Sequence, residues 1–140
     1  MDKKILYSVI YLFLFTSAAF GYGYIPDFSK MRELRCDFEE TIYNQDNSVV
    51  TQNDRFKIFK LDDPNKKIFI NKEPIDKILY YEDDKIEFTL QSMTDEFIEM
   101  SNTTIDRTNL QYSSTSTINY DNQMFGTRYT KSTGTCRFIK

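Results

Sequence analysis

RFKIFKLDDPNKKIFINKEPIDKILYYEDDKIEFTLQS, residues 55–92, holds four short apolar runs separated by turn chemistry. The run 85–91 is the plainest strand. Ile86, Phe88 and Leu90 alternate with Lys85, Glu87, Thr89 and Gln91. Successive strand side chains point to opposite faces, so one face is apolar and the other polar. The run 77–81 precedes it, and Glu82, Asp83 and Asp84 lie between the two. Asp side chains bond nearby backbone amides and tolerate turn dihedrals, so these acids predict a hairpin turn. Upstream, 55–61 and 66–70 flank Asp62-Asp63-Pro64-Asn65. Pro presets φ for an early turn position, and Asp and Asn suit the positions around it. In the first of these runs Phe56 and Ile58 share one face while Phe59 and Leu61 share the other. Either a bulge switches the face there, or both faces are covered.

The same reading extends outward. In 34–43, Leu34, Cys36, Phe38 and Ile42 fall on one face. Residues 45–54 are polar apart from Val49 and Val50 and predict a loop or a short strand. Residues 97–106 and 110–120 flank a turn at Arg107-Thr108-Asn109, and the second is rich in Ser and Thr, which suits a half-exposed strand. Residues 123–131 predict a strand broken at Gly126, and Gly134 predicts a turn or bulge before a last run in which Cys136 and Phe138 share a face. The count is seven to nine short strands with no helical periodicity. It predicts an all-β, antiparallel meander of about eight strands, as a small closed or half-open barrel.

Residues 1–23 fall outside that pattern. Lys3 and Lys4 precede an apolar run over 5–15, and Ser17, Ala18 and Ala19 supply small residues for cleavage. This predicts a secretory signal peptide, because the run is shorter than the roughly 20 residues a spanning helix needs. The expected organisation is a leader over 1–23, a lead-in over 24–33 and a single β domain over 34–140. Taking Asp2, Lys3 and Lys4 from 21 acidic and 18 basic residues leaves 20 and 16, a net charge of −4. Such a balance argues against nucleic acid as a partner and against attraction to anionic lipid, since both need clustered cations. Stable membrane insertion after cleavage is not expected.

Cys36 and Cys136 are the two cysteines of the chain. In an oxidising compartment such a pair forms a disulfide, which here would join the first and last strands. A redox pair would want C-x-x-C spacing, and that is absent. There is no His. Ser-His and Cys-His nucleophile systems are therefore excluded, as is the commonest metal ligand. Two paired cysteines leave no thiolate for zinc. No phosphate loop, dinucleotide fingerprint or calcium loop is present. No catalytic, metal or cofactor residue is expected, and the chain is not expected to be an enzyme. Asp37 and Glu39 share a strand face, and they would serve acid and base roles only if buried with their pKa values pushed apart. Asn102-Thr103-Thr104 matches the acceptor pattern for N-glycosylation, which is frequent by chance.

Several of these features carry a resemblance. The leader, F-x-I-x-x-L-D from Phe56 to Asp62, I-D-R-T-N from Ile105 to Asn109, and G-T-C from Gly134 to Cys136 resemble small, uncharacterised exported proteins of bacteria and their phages. The resemblance implies a small antiparallel β meander and supplies no activity or catalytic residue. Such proteins often have R-T-G at the turn, where this chain has Asn109, a residue that also tolerates positive φ. Likeness to lipocalins is one of architecture, since their N-terminal G-x-W signature is missing and the chain has no Trp.

Aromatic residues are the remaining signal. Phe56, Phe88, Phe97, Tyr80, Tyr112, Tyr120 and Tyr129 would either fill a β core or line a cavity. The expected function is an exported, periplasmic or secreted, non-enzymatic interaction or structural module with an unidentified protein partner. Its surface would draw on Tyr80, Phe88, Phe97, Tyr112 and Tyr120, with the polar strand over 110–120 as a suitable face. The alternative is a lipocalin-like binder of a small apolar or amphipathic ligand.

Overall fold

A computed structural model describes residues 23–121 and 126–140. The expected leader lies, apart from Gly23, outside the described residues. So does the start of the run predicted over 123–131. A 3₁₀ turn at Phe28–Lys30 precedes nine strands: β1 (Arg32–Tyr43), β2 (Val49–Asp62), β3 (Lys67–Ile70), β4 (Glu73–Pro74), β5 (Lys77–Tyr81), β6 (Lys85–Met93), β7 (Phe97–Asp106), β8 (Gln111–Tyr120) and β9 (Thr127–Phe138). They form one antiparallel sheet in the order β4-β3-β2-β1-β9-β8-β7-β6-β5, curled into a half-barrel.

Sequence neighbours pair except β4 and β5, which lie at opposite ends of the sheet, and β1 pairs with β9. Following the antiparallel pairings around the sheet gives β4 and β5 the same direction. They are separated by only Ile75 and Asp76, so they act as two pieces of one interrupted strand. Its first piece pairs with β3 and its second with β6. This is why nine strands behave like the expected eight and why the first and last run antiparallel. The two sheet edges meet at this seam. At one end the seam is closed by side chains: Tyr81 donates to Asp63 at 2.7 Å, Arg107 pairs with Asp63 at 3.0 Å, and Lys66 pairs with Glu82 at 2.9 Å.

The core lies in that same end of the half-barrel. Leu34, Cys36 and Phe38 of β1 face Phe59 and Leu61 of β2, Ile86 and Phe88 of β6, Ile105 of β7, Tyr112 of β8 and Cys136 of β9. Alternation in β6 is as expected, with Ile86 and Phe88 buried and Lys85 and Glu87 half-exposed. In β2 the face does not switch. Phe59 and Leu61 point inward, while Phe56 lies on the outside, 55% exposed beneath the Arg35 guanidinium.

Cys36 and Cys136 stand directly opposite in the β1–β9 register and are joined by a disulfide, with Cα atoms 3.9 Å apart. Two positions along, Phe38 faces Gly134, and Gly134 faces Tyr112. Gly134 therefore makes no turn; it sits inside a continuous β9. A Cβ there would lie 2.0 Å from the Asp37 carbonyl oxygen and 2.5 Å from the Phe38 Cα. With no side chain between them, the Phe38 and Tyr112 rings stack across the glycine, centroids 4.6 Å apart.

Other boundaries differ from expectation. Strand β2 begins at Val49, so of the two readings of 45–54, a loop or a short strand, most of it is strand, continuous with 55–62 and paired with the far half of β1. Strand β1 begins at Arg32, two residues inside the expected lead-in. The β3–β4 hairpin turns on Asn71 and Lys72, both with positive φ, as a two-residue mirror-image turn requires. In the β7–β8 turn the positive φ falls on Leu110, not Asn109. Asn109 instead accepts a bond from the Gln111 amide at 3.2 Å, and the Leu110 carbonyl accepts from the Cys136 amide at 2.7 Å.

Candidate functional site

The half of the barrel away from the core mixes polar and aromatic side chains, and it carries two concavities. The inner one is floored by the stacked Phe38 and Tyr112. Glu40 of β1, Lys57 of β2 and Glu99 of β7 enter it, with Ser101, Ser114, Ser116 and Ser132 around them. Its volume is about 110 Å³. Most of its hydroxyls serve one another: Ser116 donates to Glu99 at 2.9 Å and pairs with Thr130, and Thr103 pairs with Ser114 at 2.9 Å. Glu40 is engaged by Arg55 at 3.2 Å. Burial pushes the Lys57 amine below its ordinary pKa, and the Glu99 and Glu40 carboxylates oppose that shift. These contacts tie Glu99, Ser114, Ser116 and Thr130 to neighbouring polar groups over the core.

The outer concavity is larger, about 670 Å³, and open to solvent. Antiparallel pairing builds it from two rows on the outer face. Tyr43, Tyr129, Thr117 and Met100 stand opposite one another across β1, β9, β8 and β7. The next row is Thr41, Lys131, Thr115 and Asn102. Asn47, in the β1–β2 turn with φ 68°, closes one rim. Met100 is 57% exposed and Tyr129 42%. Among the described residues that line it none is acidic, and Lys131 is the one charged side chain.

The residues expected to form a partner surface are scattered. Phe88 and Tyr112 are 1% and 2% exposed and belong to the core, with Tyr112 also flooring the inner cleft. Phe97 and Tyr120 pack on each other at 5.7 Å. Tyr80 lies on the exposed edge strand β5, donating to Asp84 at 3.2 Å. The Ser/Thr strand β8 is central in the sheet, and its Tyr112 points inward, so it offers a partner its other face. Asp37 and Glu39 both face outward. Asp37 is held ionised, its pKa lowered by the Arg35 guanidinium bonded to it, and Glu39 accepts from Gln52 at 2.6 Å. They do not form a buried acid–base pair. Tyr43, Asn47, Met100 and Lys131 were not singled out by sequence, because their adjacency exists only once the four-strand register is known.

Among the described residues no cluster of three or more potential metal ligands occurs, and no helix is long and apolar enough to cross a membrane. Compared with protein-family models, curated proteins and solved structures, the chain matches none.

Proposed function

We propose that this chain is an exported, non-enzymatic module that holds a partner of the cell envelope on the outer face of β1, β9, β8 and β7. One observation carries the reading: the exposed outer groove is about 670 Å³ while the interior cleft is about 110 Å³. Small-molecule sites commonly run to roughly 300–1,000 Å³ with mostly apolar walls. The inner cleft is smaller and lined by charges and hydroxyls, so it is poorly matched to an apolar ligand. The leader-like N-terminus and the disulfide support export. Absence of His and the outward, separately partnered Asp37 and Glu39 support a non-enzymatic role.

The test is retention of the purified protein on an envelope fraction from its own source. Thr117→Glu places a carboxylate in the floor of the groove without touching the core. Retention is expected to fall at least tenfold. Equal retention of both proteins would contradict the reading.

A further inference from the structure

We infer that the outer groove takes an oligosaccharide chain, with an acidic sugar against Lys131. The inference rests on the preceding reading that this groove is the working face.

The chemistry of the walls selects the ligand class. A pyranose presents C–H bonds on its ring faces and hydroxyls around its rim. The faces match the negative face of an aromatic ring. Tyr43 and Tyr129, directly opposed in the β1–β9 register, supply two such rings to the groove. The rim needs groups that both donate and accept, which amides and hydroxyls do. Asn47, Asn102, Thr115 and Thr117 provide them. Stable protein interfaces instead have cores rich in apolar and aromatic side chains, and here hydroxyls and amides outnumber the apolar groups.

Shape and charge agree with this choice. The two rows cross four strands, a span of about 14 Å at the usual strand spacing, which fits roughly three sugar units. The chain carries 21 acidic and 18 basic residues, yet among the described residues no carboxylate lines this groove. An acidic glycan would therefore meet no lining carboxylate to repel it. The Lys131 ammonium lies over the Tyr43 ring, 5.9 Å from its centre, so a sugar stacked on the exposed Tyr129 ring would have it as a neighbour.

Titration with two soluble probes, chitotetraose as a neutral chain and tetragalacturonate as an acidic one, followed by amide NMR shifts, tests the inference. The acidic probe is expected to bind several-fold more tightly, with shifts confined to β1, β7, β8 and β9. Tyr129→Ala is expected to weaken both probes at least tenfold. Lys131→Met should remove the advantage of the acidic probe and leave the neutral one unchanged. Failure of both probes to bind, or shifts centred on the inner cleft, would overturn the inference. If neither probe binds while envelope retention still depends on Thr117, the glycan assignment falls and the interaction reading stands. Loss of both would remove both.

Discussion

Replacing Gly134 with Ala sets two physical effects against each other. Strand propensity favours the change, because removing a glycine from a strand interior stabilises by about 0.5–1 kcal/mol. The structure opposes it. The new Cβ would stand 2.0 Å from the Asp37 carbonyl oxygen, 2.5 Å from the Phe38 Cα and 2.7 Å from its Cβ. Two of those atoms are backbone, so no side-chain rotation relieves the contact. Nor can β1 and β9 easily separate, since the Cys36–Cys136 bridge lies two residues away. Overpacking of this kind costs about 1–3 kcal/mol. Displacing the Phe38–Tyr112 stack forfeits a further ~0.5–1.5 kcal/mol. The net expectation is a loss of about 0.5–4 kcal/mol, or roughly 2–16 °C in Tm for a domain of this size. Thermal unfolding of the mature protein by circular dichroism measures it. A Gly134→Ala protein as stable as the wild type, or more so, would refute the account of the glycine and of the ring stack across it.

Other expectations follow from the same geometry. Cys36→Ser opens a bridge between residues 100 apart in sequence, and the chain-entropy model puts the loss near ~4–5 kcal/mol; denaturant titration should show it, and Cys136 should become reactive after unfolding. Tyr81→Phe removes the 2.7 Å bond to Asp63 at the seam and should cost about 1–2 kcal/mol by the same titration. Burial, then the bond to Asp63, raises the Tyr81 phenol above its ordinary 10.0, so its stabilisation is complete below pH 10 and is lost as pH rises above it. Tyr24, pushed up to about 12, acts in the same direction. Wild-type Tm should therefore fall above pH 10, and Tyr81→Phe should flatten that fall; a slope unchanged by the substitution would contradict the assignment. Phe88→Ala removes a ring that is 1% exposed, for an expected loss of about 3–5 kcal/mol seen as a far lower Tm.

Much of the fold was legible because the core end of each strand meets apolar neighbours on one side only. Ile86 and Phe88 announce β6 in this way, and Leu34, Cys36 and Phe38 announce β1. The disulfide was legible from two cysteines in a chain with a leader-like N-terminus, and the register places them face to face. The polar end was not legible. Residues 49–54 pair with β1 far from the core, so neither face needs apolar groups and no alternation marks the strand. Strand β8 was legible as a strand from its Ser and Thr, but which face turns inward was not, since inward Ser114 and Ser116 resemble outward Ser113 and Thr115. Gly134 reads locally as a break, and only the Phe38 and Tyr112 rings on either side explain it as a clearance. The outer groove was hidden for the most general reason. Tyr43, Met100 and Tyr129 are far apart in sequence and become neighbours through three strand pairings.

The most direct test of the proposed partner-binding outer face is native mass spectrometry of protein recovered from its native source, wild type beside Thr117→Glu. The account predicts an oxidised chain whose interior carries no ligand, so that any bound mass is lost in Thr117→Glu. A small co-purified mass, released on denaturation and retained equally by Thr117→Glu, would place the ligand inside the barrel and contradict it.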